Sequence, residues 1–158
     1  MFRLIIFSLL FCFSCQNNNI GQLEKIKNET VNKRNDLINA ALNGDRKSYN
    51  KLVSGFLLEE NYTDALYYSI IIANKFENPE AYYNVYRSIH QESGYSFNKG
   101  LDEMNLTFSL FFLLKAYEGK YENAKFMVNE LFNGDTTNLK GSEYYLKEYY
   151  RLNYDSNF

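Results

Sequence analysis

Three times along this chain a small residue is followed, four and then eight places later, by larger apolar ones. The triplets are Ser48, Leu52 and Phe56, then Ala81, Val85 and Ile89, then Ala124, Val128 and Phe132. An α-helix turns once in 3.6 residues, so each triplet forms one stripe, and the stripe has to be covered by another element. Each is preceded by a break and, before the break, by an alanine that ends the previous helix: Ala41, Ala73 and Ala116. The intervening helices rhyme as well, with Ala65, Phe108 and Ser142 each followed three residues later by an aromatic: Tyr68, Phe111 and Tyr145. A chain that repeats a helical face at intervals of a few tens of residues is expected to stack helical hairpins.

The periodicity predicts helices over about 31–43, 46–59, 62–76, 79–91, 105–118, 121–133 and 142–152. Only one proline, Pro79, occurs in 158 residues, so little interrupts them. It sits in Asn78-Pro79-Glu80, where a capping residue, a proline at the first helical position and an acid in the first turn mark a helix start. Gly44, Gly119 and Gly134 are the expected stops.

The N-terminus reads as an address. Met1-Phe2-Arg3 is a short positive region, and Leu4 to Phe13 is an unbroken run of apolar and small residues. A bilayer-spanning helix needs roughly 20 apolar residues, whereas this run stops at Ser14-Cys15 and passes into Gln16-Asn17-Asn18-Asn19. The segment resembles a bacterial lipoprotein signal, in which a small residue precedes a cysteine that is lipidated and becomes the new N-terminus. Ser14 and Cys15 match those places; Cys12 stands where the family usually has leucine. Cys12 as the lipid site would put Phe11 where a small residue is needed. A plain secretory signal cut elsewhere, or an uncleaved anchor, is the alternative. The resemblance implies a signal peptide at 1–14, a lipidated Cys15 opening a tether at 15–30, and a folded domain at 31–158. No Asp follows Cys15, which in this family implies onward sorting to the outer membrane.

Removing 14 residues leaves 144, enough for one domain with a core that needs neither disulfide nor metal. Both cysteines, Cys12 and Cys15, lie in the N-terminal segment, so the body of the protein has none. Losing Arg3 leaves 16 Lys and Arg against 19 Asp and Glu, a net charge of −3 with no basic stripe of the kind that nucleic acid requires.

The repeats resemble SEL-like repeats, relatives of tetratricopeptide repeats. Asn61-Tyr62-Thr63-Asp64-Ala65-Leu66-Tyr67-Tyr68 is similar to the family's polar turn, alanine and aromatic, and Ala41, Gly44 and Ser48 are similar to its A-x-x-G-x-x-x-A link. The second link departs from it, with Phe76 in place of glycine, and both later links are one residue longer. An unrelated helical bundle is the competing fold. The resemblance, covering about residues 40–152, implies an all-α, right-handed solenoid of about three helix pairs plus a leading helix. It also implies a concave face lined by the first helix of each pair. In this register that face carries Asn50, Ser54, Tyr83, Arg87, His90, Phe126 and Glu130. Tyr, Arg and His on one stripe make the mixture found at interface hot spots.

Little points to catalysis. His90 is the only histidine, so a Ser-His-Asp triad or a histidine metal site would rest on one residue. Near the end of its helix, it reads as a surface imidazole beside the carbonyl end of the dipole. Glu59-Glu60 and Asp102-Glu103 are adjacent rather than facing, as helix-end residues are. The tyrosine doublets 67–68, 82–83, 144–145 and 149–150 read as one ring packed and one at the rim. The segment from Ser93 to Met104 is longer than a repeat turn requires and is a second place to look for function. The expectation is therefore a monomeric, non-enzymatic envelope lipoprotein without cofactor or metal, binding a protein or peptide. An immunity-type inhibitor of a secreted toxin is one alternative, and a small-ligand binder or hydrolase is another.

Overall fold

Capping chemistry sets where most of the helices begin. The computed structural model describes residues 25, 27–92 and 101–155, and among these residues there are seven helices and no strand. They are α1 (27–42), α2 (Arg46–Leu58), α3 (Tyr62–Phe76), α4 (Pro79–Glu92), α5 (Glu103–Glu118), α6 (Glu122–Leu131) and α7 (Ser142–Asp155). Asp45 accepts from the Lys47 amide at 3.1 Å and Asn61 from the Asp64 amide at 3.2 Å. Asn78 accepts from the amides of Glu80 and Ala81 at 3.0 and 3.3 Å, which fixes the start of α4 at Pro79 as expected. Asp102 accepts from the Asn105 amide at 2.7 Å and starts α5 two residues before the periodicity does. The amide and hydroxyl of Ser142 both donate to the Glu118 carboxylate, at 2.8 and 2.7 Å, which pins α7 to the end of α5. α1 is already helical over 27–30, earlier than the expected residue 31.

The stops are less regular. Gly44 and Gly134 take left-handed backbone, with φ of 94° and 75°, a conformation that glycine enters without penalty. Gly119 does not: its φ is −75°, and Lys120 makes the left-handed turn instead at 61°. The glycine is needed for a different reason, because a Cβ there would lie 2.5 Å from Cγ of Pro79. The end of α5 and the start of α4 thus touch where neither a side chain nor a flexible ring could yield.

Neighbouring helices pack in sequence, α2 on α3, α3 on α4 and α4 on α5, while α5 carries both α6 and α7. The recurring stripes form the core: Leu52, Phe56, Ala81, Val85, Ala124 and Val128 are buried, and Ile89 and Phe132 are half-buried. Each large apolar side chain withdrawn from water stabilises the fold by roughly 1.5–3 kcal/mol. One cluster gathers Ala41, Tyr49, Val53, Ile72 and Ala73; the second gathers Tyr86, Phe112, Leu113, Leu114 and Met127. A polar knot ties three helices together. Asn84 of α4 donates to the Tyr49 hydroxyl of α2 at 3.0 Å, and that hydroxyl shares a 3.0 Å bond with Ser69 of α3. Burial pushes the Tyr49 phenol up to about 12.

Three of the four tyrosine doublets divide as expected. Tyr67, Tyr144 and Tyr150 are exposed, while their neighbours Tyr68, Tyr145 and Tyr149 are half-buried. Tyr68 stacks on Phe56 with centroids 5.7 Å apart. The Tyr82-Tyr83 doublet does not divide, because α4 lies between α3 and α5 and has partners on both sides.

Candidate functional site

Glu80 occupies the first turn of α4, and the Asn78-Pro79 start determines its position. Its side chain, 16 % exposed, turns toward α2 and accepts from Nε and Nη2 of Arg46 at 3.1 and 2.9 Å and from Nδ2 of Asn50 at 3.1 Å. All three bonds fall on Oε2. The other oxygen receives the hydroxyl of Tyr121, at the head of α6, at 3.5 Å. One carboxylate therefore links the starts of α2, α4 and α6. Tyr121 also meets Tyr83, with ring centroids 5.4 Å apart. Burial, and next the Glu80 charge, push the Tyr121 phenol above its ordinary value, so it stays a neutral donor.

One turn beyond Tyr83 stands Arg87, half-buried. Burial raises the Tyr83 phenol and the Arg87 charge opposes that rise, so the two groups feel one another. Among the described residues no carboxylate lies within ion-pair distance of Arg87. Its forked, planar donor set is suited to a carboxylate or phosphate supplied from outside.

The seven residues expected on one face are distributed as follows. Asn50 joins Glu80 directly, Tyr83 follows through Tyr121, and Arg87 is linked to Tyr83 through its charge. Ser54, one turn after Asn50, is exposed, as are Phe126 and Glu130 on adjacent turns of α6, with Phe126 63 % exposed. No hydrogen bond or ring contact among the described residues ties those three to the Glu80 group.

His90 is a correction. It is 7 % exposed rather than a surface imidazole, and its ring lies 4.4 Å from that of Tyr86. Nε2 is 3.2 Å from the Ser109 hydroxyl, which already gives its only proton to the Leu106 carbonyl at 2.8 Å. The Ser109 oxygen must accept, which assigns the proton to Nε2. Burial holds the imidazole below its ordinary pKa. The residue faces α5, not an open groove, because α5 returns to cover the end of α4. Tyr83 also differs from expectation: at 8 % exposed it is a packing residue that touches the site.

Arg46, Glu80 and Tyr121 had not been singled out. The signal available for Glu80 was its place after Asn78-Pro79, but its partners lie 34, 30 and 41 residues away and no local pattern names them. Cys15 and the signal at 1–14 lie outside the described residues, as do 93–100 of the long connection, whose final part from Glu103 is the first turn of α5. Among the described residues no group of three His, Cys, Asp or Glu side chains is placed to hold a metal ion. Two open hollows lie elsewhere on the described surface. One, of about 420 Å³, is lined by Tyr117, Glu118, Lys120, Glu122 and Lys125 at the α5–α6 turn. The other, of about 180 Å³, lies between α1 and α2. No protein-family model, curated protein or solved structure matches this chain.

Proposed function

We propose that this chain is a lipid-anchored protein of the bacterial cell envelope that holds a protein or peptide partner on the face made by α2, α4 and α6. The reading rests on Arg87, a half-buried guanidinium whose charge meets no carboxylate among the described residues. Desolvating an arginine without a counter-charge is costly, and a partner's acidic side chain or terminal carboxylate removes that cost. In this reading Phe126, exposed on α6, is a further aromatic anchor for the partner.

On the same reading the helices form a right-handed repeat solenoid of three pairs, α2–α3, α4–α5 and α6–α7, led by α1. In its favour, Glu80 links the first members of all three pairs, and the second members α5 and α7 pack on each other. In this reading the protein performs no catalysis and takes no cofactor. Cys15 carries the lipid, and the anchor places the domain at a membrane surface, with the outer membrane as its destination. No helix among the described residues is long and apolar enough to cross a membrane.

Two measurements test the proposal. Labelled fatty acid should enter the wild-type chain and the Cys12→Ala variant but not Cys15→Ala; label in the last would remove the anchor. Detergent-solubilised lipoprotein should retain its partner through washing, and Arg87→Ala should weaken retention by roughly 5- to 100-fold at unchanged melting temperature. Equal retention by wild type and variant would reject the face.

A further inference from the structure

The basic residues of this chain are unevenly placed. Residues 25–58 carry seven Lys and Arg against three Asp and Glu, and even with Glu59 and Glu60 the balance is positive; residues 61–158 carry nine against thirteen. The positive end is the one nearest Cys15. Between α1 and α2 the 180 Å³ hollow is lined by Thr30, Lys33, Arg34 and Lys51, over a floor of Leu37, Leu52 and Gly55. Lys33 and Lys51 have no carboxylate partner among the described residues, whereas Arg34 is held against the Phe56 ring by both oxygens of Glu59. Lys27 precedes Thr30 by three residues and Lys47 precedes Lys51 by four, so each helix extends the hollow with a further lysine on the same stripe. Glu29 and Asp36, four residues before and three after Lys33, are the carboxylates of α1; neither lines the hollow or lies within ion-pair distance of Lys33.

We infer that this α1–α2 face docks on an anionic phospholipid surface, taking a headgroup phosphate between Lys33 and Lys51. The inference rests on the anchored reading, because a lipid on Cys15 keeps the face near a membrane. Nine residues separate Cys15 from residue 25, and ten extended residue steps span at most about 35 Å. The domain is then within reach of the surface, and charge decides which side faces down. Each lysine near an anionic surface shifts such an equilibrium by roughly fivefold, and salt screens it. Docked this way, α1 and α2 lie on the lipid.

The test uses the mature lipoprotein with Leu58→Cys carrying a nitroxide, since Leu58 is 86 % exposed, follows Lys51 by two turns on the same stripe and does not line the hollow. It is bound to vesicles of phosphatidylcholine alone or with about one-third phosphatidylglycerol, and collisions with a headgroup-tethered nickel chelate are measured. Collision frequency should rise several-fold on the anionic vesicles. It should return to the neutral-vesicle value in Lys33→Gln/Lys51→Gln, expected to weaken docking about 25-fold, and at high salt. A label at Tyr67→Cys on α3 should not respond. Equal collision on both vesicles, or a rise that survives the double substitution, overturns the inference. Should the protein sediment with anionic vesicles only, and through those lysines, the anchor fails while the basic face stands; sedimentation with neither overturns both.

Discussion

Replacing Glu80 with alanine should be the most damaging single change at the patch. The carboxylate is mostly buried and accepts three close bonds on one oxygen, two from Arg46 and one from Asn50. Arg46 is 66 % exposed and returns to water, so its loss matters little. Asn50 fares worse. Its Oδ1 is buried and finds no partner among the described residues, so without Glu80 its Nδ2 is left unsatisfied too. An unsatisfied buried donor costs about 1–3 kcal/mol, and loss of the acid from the first turn of α4 adds roughly 0.3–1 kcal/mol. The sum is about 1.5–4 kcal/mol, or roughly 4–15 °C in melting temperature for a domain of this size. Glu80→Gln keeps an acceptor oxygen and should lose about half as much, and Arg46→Ala should lose under about 1 kcal/mol. Urea unfolding of the four proteins, with Arg46→Ala/Glu80→Ala closing the cycle, measures these terms. If Glu80→Ala unfolds within about 0.5 kcal/mol of wild type, the carboxylate is not the link between these helices.

Gly119→Ala should destabilise by about 1–3 kcal/mol because its methyl would overlap the Pro79 ring, whereas Gly55→Ala, inside α2 with open space around it, should stabilise by roughly 0.5–1 kcal/mol; thermal melts that rank them otherwise would contradict the α4–α5 contact. Tyr83→Ala should lose stability as Tyr68→Ala does, by about 2–4 kcal/mol, and chemical denaturation that leaves it at the wild-type midpoint would show the ring is not packed. His90 has a folded-state pKa lowered by burial, so its contribution is complete above the unfolded value of 6.5 and is lost as pH falls below it. Stability should therefore decline as pH falls below 6.5, and His90→Gln should flatten that decline; an unchanged slope, or an imidazole titrating above 6.5 by NMR, would refute the burial.

Much of the fold was legible because helix starts and stripes are local. Asn78-Pro79-Glu80 begins α4 where its capping bonds lie, and the small residues Ala81 and Ala124 are both fully buried where helices meet. Gly119 was recognised as a helix end but for the wrong reason, since the demand for a missing side chain comes from Pro79, forty residues earlier. His90 was misread because its cover is Ser109 of the next helix, which the sequence around His90 does not reveal. Glu80 was passed over for the same cause: a buried carboxylate is identified by what faces it. Period and caps are short-range properties, while burial of a polar group depends on tertiary pairing.

The most direct test of the function places a photo-reactive amino acid at Phe126, or at Tyr67 on α3 as a control, in the full chain expressed in its own cells. Both positions are exposed, at 63 % and 58 %, so access alone does not favour either. Irradiation should give a discrete higher-mass adduct from position 126 and none from 67, and adding Arg87→Ala should remove that adduct while the domain melts at the same temperature. No adduct at 126, or one of equal yield at 67 and indifferent to Arg87, would contradict a partner held on the α2, α4 and α6 face.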